Sequence, residues 1–386
     1  MATALKAYRR LVVKVGSSLL TNDDGELNRD WLQGLAEDIA ELANGGQQVL
    51  IVSSGAIAIG SRTLNMNRRR ARLEDLQAAA AVGQVQLAHQ YQELLGGLGI
   101  AAAQILLTPD DTENRRRFLN ARGTLSRLID RGVVPIINEN DTVATEEIRY
   151  GDNDRLAARV AQLVMADGLV LLSDVDGLYS ADPTASDDAE HLPEVHDIDE
   201  SITAIAGETR SEIGSGGMAT KVQAARIATH AGCATIIASG RVRRPLKALA
   251  DGARRTVFHA DGSPAAARKQ WLAGALDVCG TLKVDDGARR ALRDGSSLLP
   301  VGVIGVVGRF RRGDVVSLVD ADGLEIGRGL AEYDDAEALR IAGCQSEEIA
   351  ERLGYRGRAV LVHRDDLVYF GSGGVNPTTT DTGNEQ

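Results

Sequence analysis

Two lysines and a set of carboxylates and amides are the residues of this chain best suited to chemistry. Lys14 stands inside an apolar run, Leu11-Val12-Val13-Lys14-Val15. A lysine inside a central strand costs desolvation unless its ammonium reaches an anion. The other reading is an edge strand with an outward lysine. Lys221 closes the glycine-rich stretch Gly214-Ser215-Gly216-Gly217-Met218-Ala219-Thr220-Lys221. Glycines there let backbone N–H groups crowd onto phosphate oxygens, the following helix start adds its dipole, and the lysine adds a mobile positive charge. The stretch is not a Walker A loop, because no Gly-Lys-Ser/Thr occurs in the chain.

Carboxylates and amides concentrate between Val133 and Asp154. The apolar run Val133-Val134-Pro135-Ile136-Ile137 flips to Asn138-Glu139-Asn140-Asp141, and Gly151-Asp152-Asn153-Asp154 follows. Crowded carboxylates repel and desolvate one another, so the cluster is either a solvated acidic loop or a holder of a cation, an amine or an acid–base task. Hydroxyls recur at two further strand ends, in Ser53-Ser54-Gly55-Ala56 and in Ser173-Asp174-Val175-Asp176. Such turns suit an anion or carboxylate, and are about as often plain helix caps.

The elements that must position these residues alternate. Buried-strand patterns are expected at 11–15, 49–52, 100–107, 133–137, 169–172 and 234–238, the last of them closing the series. Helical spacing is expected at 28–44, with Asn28 as cap and Asn44-Gly45-Gly46 as stop, and at 73–95, 114–131, 156–164 and 222–230. Residues 182–198 read as a surface loop, and 241–275 as helix and connector. This is an α/β pattern, an open three-layer αβα sandwich with a mostly parallel sheet, whose ligands sit beyond the carboxyl ends of the strands. After Leu276 short apolar runs separated by Gly and Asp-Gly indicate a small β-rich domain, with a hairpin-type turn at Asp320-Ala321-Asp322-Gly323 and a short helix at 346–353. The expected division is 1–260, a linker 261–278, a β-rich domain 279–357, and 358–386 ending in a disordered tail.

At 386 residues the chain is long enough for two or three domains. A net charge of -11 argues against nucleic acid or an anionic membrane as a general partner. Cys233, Cys279 and Cys344 are few, odd in number and far apart, as in a reducing compartment, and no run reaches transmembrane length, so a cytoplasmic location is expected. His363-Arg364-Asp365 mimics a protein-kinase catalytic loop, but Phe370 stands where Asn is needed.

Six stretches in order resemble the amino acid kinase family over about residues 9 to 260. They are Val12-Val13-Lys14-Val15-Gly16, Val52-Ser53-Ser54-Gly55-Ala56-Ile57-Ala58, Gln77-Ala78-Ala79-Ala80-Ala81-Val82-Gly83-Gln84, Ile136-Ile137-Asn138-Glu139-Asn140-Asp141, Gly151-Asp152-Asn153-Asp154 and Gly216-Gly217-Met218-Ala219-Thr220-Lys221. Residues 279–357 resemble a PUA domain, a pairing that favours the family members acting on free L-glutamate over those acting on acetylglutamate or aspartate. The resemblance implies a transferase that moves the γ-phosphoryl group of ATP to the γ-carboxylate of L-glutamate. The product is L-glutamyl 5-phosphate, which opens proline biosynthesis. It further implies Mg²⁺ carried on the phosphates, proline as feedback inhibitor and a homo-oligomer. Lys14 and Lys221 match the lysines that embrace the transferring group, and Asp154 the carboxylate that orients both. Asp141 with Asn153 would take the amino group of glutamate, and Ser54 and Asn138 its carboxylates. Lys14, Ser173 and Asp174, with Ser215, Gly216, Gly217, Met218, Ala219, Thr220 and Lys221, would hold the nucleotide. Ser53 and Ser173 stand where Thr is common in the family, and both keep a hydroxyl. Residues 279–357 carry 11 Lys/Arg against 14 Asp/Glu and three aromatics, so an architectural or regulatory role is expected there rather than RNA binding.

Overall fold

A computed structural model describes residues 5–22, 26–68, 70–143, 153–184, 186, 188–207 and 217–370. The knot at Gly151-Asp152, the loop residues Ser215 and Gly216, and the tail from Ser372 lie outside the described residues.

The chain divides into two compact units, Met1–Pro264 and Ala265–Gln386. In the first, β1 (Arg10–Val15) leads through α1 (Ser17–Leu20) to α2 (Arg29–Asn44), β2 (Gln48–Ser53), α3 (Ala56–Thr63), α4 (Leu73–Gly97) and β3 (Ala102–Leu107). There follow α5 (Pro109–Glu113), α6 (Arg115–Asp130), β4 (Val134–Glu139), α7 (Asn153–Val164) and β5 (Gly168–Ser173). The remainder comprises β6 (Leu178–Tyr179), β7 (His191–Leu192), β8 (Glu194–Val195), α8 (Glu200–Ala206), α9 (Met218–His230), β9 (Ala234–Ser239), α10 (Pro245–Ala250) and β10 (Arg255–Phe258). Asn28 caps α2 by accepting from the Trp31 N–H, and Gly46 leaves that helix at φ 87°.

Eight strands form one sheet in the order β3-β4-β2-β1-β5-β9-β10-β8. From β3 to β9 all neighbours are parallel; β10 runs antiparallel to β9, and β8 pairs parallel with β10. Successive side chains of a strand point to opposite faces. On one face Leu11, Val13 and Val15 pack with Trp31, Leu35 and Ile39 of α2 and Leu87 and Tyr91 of α4. On the other, Val12, Leu50 and Leu171 pack with Ala157, Val160 and Ala161 of α7 and Val222 and Ala225 of α9. These are the three layers, and the chain crosses to the second side of β1 between β4 and β5, which makes the β1/β5 junction the switch point.

Two stretches differ from the sequence pattern. The expected loop 182–198 contains β7 and β8, and the expected connector 241–275 contains β10, so β9 is not the last strand of the sheet. Two-residue strands are too short to show a period, and they are fixed by long-range contacts. Buried Thr256 of β10 donates to the Leu192 carbonyl at 2.6 Å and accepts from the Leu178 N–H at 2.7 Å, tying β6 and β7 to the sheet edge.

In the second unit β11 (Val278–Val284), β12 (Val303–Gly308), β13 (Val315–Val319), β14 (Glu325–Leu330) and β15 (Leu367–Tyr369) form a sheet ordered β12-β11-β13-β14-β15. Its core includes Leu282, Phe310, Leu318, Ile326, Tyr333, Ile341 and Leu361. Gly323 takes φ 86° in the hairpin turn, where the Asp320 carboxylate accepts from the Asp322 and Leu324 N–H groups. Residues 346–353 form a 3₁₀ turn and a short helix, and His363-Arg364-Asp365 lies at the 3₁₀ turn Arg364–Asp366 that precedes β15.

Candidate active site

The described residues among the site candidates lie at the carboxyl ends of β1, β2, β4 and β5 and at the starts of α7 and α9. Lys14 is the fifth residue of the six in β1, and its backbone pairs with Val52 on one side and Leu171 on the other. It is therefore on a central strand and not at an edge. It shares parity with Val12, so it points to the face carrying α7 and α9. α7 begins at Asn153, three residues before the expected start, which places Asp154 in its first turn where the helix dipole favours a carboxylate. α9 begins at Met218, so Thr220 and Lys221 belong to its first turns, with Gly217 as the capping residue.

The three charged groups meet. Lys14 Nζ lies 2.7 Å from Asp154 Oδ1, and Lys221 Nζ lies 3.4 Å from Asp154 Oδ2. The Thr220 hydroxyl is 2.9 Å from Oδ2 and 2.8 Å from the Gly217 carbonyl. Exposures are 7% for Lys14, 1% for Asp154 and 4% for Lys221. Burial pushes the Asp154 carboxyl up, but the charges of Lys14 and Lys221 and the Thr220 hydroxyl outweigh it and hold the group below the ordinary carboxylate range. Two buried ammonium groups thus share the two oxygens of one buried carboxylate.

Beside the charged triad runs a chain of polar side chains. Asn153 Nδ2 donates to Ser54 Oγ at 2.7 Å and to Asn138 Oδ1 at 3.1 Å, and Asn138 Nδ2 donates to Gln84 Oε1 at 2.7 Å. Asn153 Oδ1 and Gln84 Nε2 are buried without a hydrogen-bond partner. Orphaned buried polar atoms are costly, and in a strand-end cluster they mark where a ligand supplies the missing partners. Asp141 follows β4 in a 3₁₀ turn, and burial pushes its carboxyl up to about 6.

Gln84 carries a bond that the sequence reading did not assign to it. The one local signal is a glutamine closing a run of small residues, Ala78 to Gly83, on a helix. Those small residues have a packing reason. A Cβ on Gly83 would lie 1.8 Å from the Ala56 carbonyl oxygen, and one on Gly60 would lie 1.7 Å from that of Ala79. Backbone contact between α3 and α4 brings Gln84 to the end of β4. Ser53 turns the other way: its hydroxyl is 3.0 Å from that of Tyr91, among the side chains of the α2/α4 face. Gly55, at φ 101°, makes the corner that sends Ser54 toward Asn153 and starts α3.

Ser173 ends β5, and its hydroxyl donates to Asp174 at 2.9 Å, while Arg241 donates to the Asp174 carbonyl at 3.0 Å. A cavity of about 340 Å³ bounded by Ser18, Leu19, Asn28, Trp31, Asp174 and Arg241 adjoins that turn on the α1/α2 side. Neither lysine lines it, so charge and orphaned polar atoms rather than concavity define the site. Among the described residues one trio of metal-ligand types converges, Glu194, His196 and His259. It lies at the ends of β8 and β10, level with the amino end of β9, and its imidazoles stack face to face at 4.5 Å. Nitrogen ligands there do not suit Mg²⁺, which takes oxygen ligands and rides on phosphates.

Residues 9–239 match the family model described as the amino acid kinase family, and residues 280–353 match the PUA domain. The chain is 55% identical over 365 residues to the glutamate 5-kinase of Rhodopseudomonas palustris (strain BisB5), covering 94% of this chain and 97% of that one. It is 53% identical over 382 residues to the glutamate 5-kinase of Sinorhizobium fredii (strain NBRC 101917 / NGR234), covering 99% and 97%. With glutamate 5-kinase 1 of Rhizobium meliloti (strain 1021) it shares 56% identity over 365 residues, covering 95% and 93%. A lysine pair on one buried carboxylate at the strand ends, and likeness of this extent along nearly the whole chain, agree: the chain belongs to the amino acid kinase family, among its glutamate 5-kinases.

Proposed function

We propose that the protein transfers the γ-phosphoryl group of ATP to the γ-carboxylate of L-glutamate, giving L-glutamyl 5-phosphate and ADP at the first step of proline biosynthesis. The observation that carries this reading is the pairing of Lys14 and Lys221 on the two oxygens of Asp154. A carboxylate oxygen of glutamate forms the new bond to the γ-phosphorus, the bond to the β,γ-bridging oxygen breaks, and no proton moves, because the γ-carboxylate is already ionised at pH 7. Catalysis is then positioning and charge neutralisation. Two like unit charges about 4 Å apart repel by roughly 4 kcal/mol at an effective dielectric of about 20, so two fixed cations are matched to the task. Lys14 stands between donor and acceptor, Lys221 follows the leaving β-phosphate, and Asp154 holds both ammonium groups in register. Gly217, Met218, Ala219 and Thr220 at the start of α9, with Ser215 and Gly216 before it, cradle the phosphates, and Ser173 and Asp174 hold the rest of the nucleotide.

Asp141 and the orphaned Asn153 Oδ1 take the ammonium group of glutamate, and Ser54 and Asn138 orient its carboxylates. Mg²⁺ on the phosphate oxygens supplies further neutralisation when bound. The protein works in the cytoplasm as a homo-oligomer inhibited by proline, and the PUA domain serves architecture or regulation rather than RNA binding, consistent with its acidic balance. An ATP-dependent hydroxamate assay on free L-glutamate, N-acetylglutamate and aspartate, each with and without proline, tests this. Turnover of L-glutamate is expected, and turnover confined to either of the other acceptors overturns the assignment.

A further inference from the structure

The three amides of Gln84, Asn138 and Asn153 form a series with a direction. Both hydrogens of Asn153 Nδ2 are committed, one to Ser54 Oγ and one to Asn138 Oδ1. The open position on that amide is therefore the buried acceptor Oδ1. An asparagine amide is nearly the same shape after a half-turn, so its polarity must be imposed by a neighbour. Asn138 imposes it on Asn153 by presenting oxygen, and Asn138 presents oxygen there because its Nδ2 is held by Gln84 Oε1 at 2.7 Å. In this orientation the Gln84 Nε2 is buried and without a hydrogen-bond partner. Its place is set by the backbone contact of Gly83 with the Ala56 carbonyl, and α4 also packs against the turn that carries Asp141.

We propose that Gln84 is a positioning residue for the amino group of the substrate: it sets the direction of the amide series and so aims an acceptor, Asn153 Oδ1, at a primary ammonium. This rests on the phosphoryl-transfer reading and adds to it the group that selects a free α-amine. Without the Gln84 acceptor, Asn138 and Asn153 are free to turn over together. Asn153 then offers N–H to an ammonium, and attraction becomes repulsion. The effect falls most heavily on the amine end of the substrate, where attraction changes sign.

The test compares L-glutamate with glutarate, which has the same carboxylates and no amine, by hydroxamate trapping. In Gln84→Met we expect kcat/KM for L-glutamate to fall by about ten-fold or more, as for loss of a hydrogen bond to a charged group. The loss should lie in the KM for glutamate, with kcat and the KM for ATP within about two-fold, and glutarate should lose much less than glutamate, so that the preference for the amine shrinks. Gln84→Glu keeps an acceptor facing Asn138 and should retain the preference. Retained preference in Gln84→Met, or proportionate loss for both acceptors, overturns the proposal. Should Gln84→Met fail to fold, Gln84→Glu decides by itself, because loss of preference there contradicts an acceptor role. Wild-type protein that fails to turn over L-glutamate overturns the phosphoryl-transfer reading and this proposal with it, an outcome distinct from any variant result.

Discussion

Lys14 and Lys221 occupy the two oxygens of a single carboxylate, at 2.7 Å and 3.4 Å. One comes from the first strand of the sheet and the other from the last long helix on the same face, so Asp154 joins the two ends of the first unit at its site. A buried ion pair is weak support for stability taken alone, but breaking one by removing a partner is strongly destabilising.

Asp154→Asn should therefore act on both stability and rate. Without nucleotide we expect a loss of about 3 kcal/mol, because the substitution removes the buried carboxylate on which both ammonium groups lie. Saturating MgATP should recover part of it by binding the folded state alone. The rate should fall by about 10²-fold or more. The carboxyl of Asp154 is held below its ordinary range, so its contribution is present above the unfolded value near 4 and is lost as pH falls through the folded value. Acid titration followed by circular dichroism should show this component in the wild type and not in Asp154→Asn.

Asp141 has the opposite sign. Its carboxyl is raised to about 6, so the folded chain binds that proton more readily than the unfolded chain, and the favourable contribution is lost as pH rises through about 6. Asp141→Asn should thus stabilise the protein at pH 7.5 by on the order of 1 kcal/mol, read as a higher Tm. The same substitution should raise the KM for glutamate, because a neutral amide replaces the partner of the ammonium. In the wild type the KM for glutamate should rise as pH falls below about 6, while the KM for ATP changes less.

The α3–α4 contact makes a third case. Gly83→Ala would put a methyl 1.8 Å from a backbone oxygen that cannot move away without shifting α3. Overpacking of this kind costs about 1–3 kcal/mol or more. Because Gln84 is the next residue, the KM for glutamate should rise as well. Ala81→Gly, on the same helix, provides the control for a simple change in helix propensity.

Much of this was legible in the sequence because it was local. The apolar runs ending in Ser, Asn or Asp gave the strand ends, and the isolated Lys14 within such a run left two readings, an anion at the strand end or an outward lysine on an edge strand. The meeting of Lys14, Asp154 and Lys221 was anticipated through the family likeness, and distance along the chain hid the geometry itself. Gln84 escaped because its meaning comes from a helix crossing made by Gly60 and Gly83, which leaves no period in the sequence. β8 and β10 escaped for a related reason, being two and four residues long and fixed by pairing across the sheet edge. The helix starts at Asn153 and Met218 lie earlier than the apolar pattern indicates, since Asn153, Asp154, Thr220 and Lys221 in those first turns are polar.

The most direct measurement is acyl-phosphate formation by Lys221→Ala, trapped as hydroxamate, alongside circular dichroism and nucleotide binding. The expected result is a folded protein that still binds ATP and forms product about 10³-fold more slowly or worse, as when a cation on the transferring group is removed. A folded variant with a near-normal rate would contradict it, and would remove the lysine pair from the mechanism.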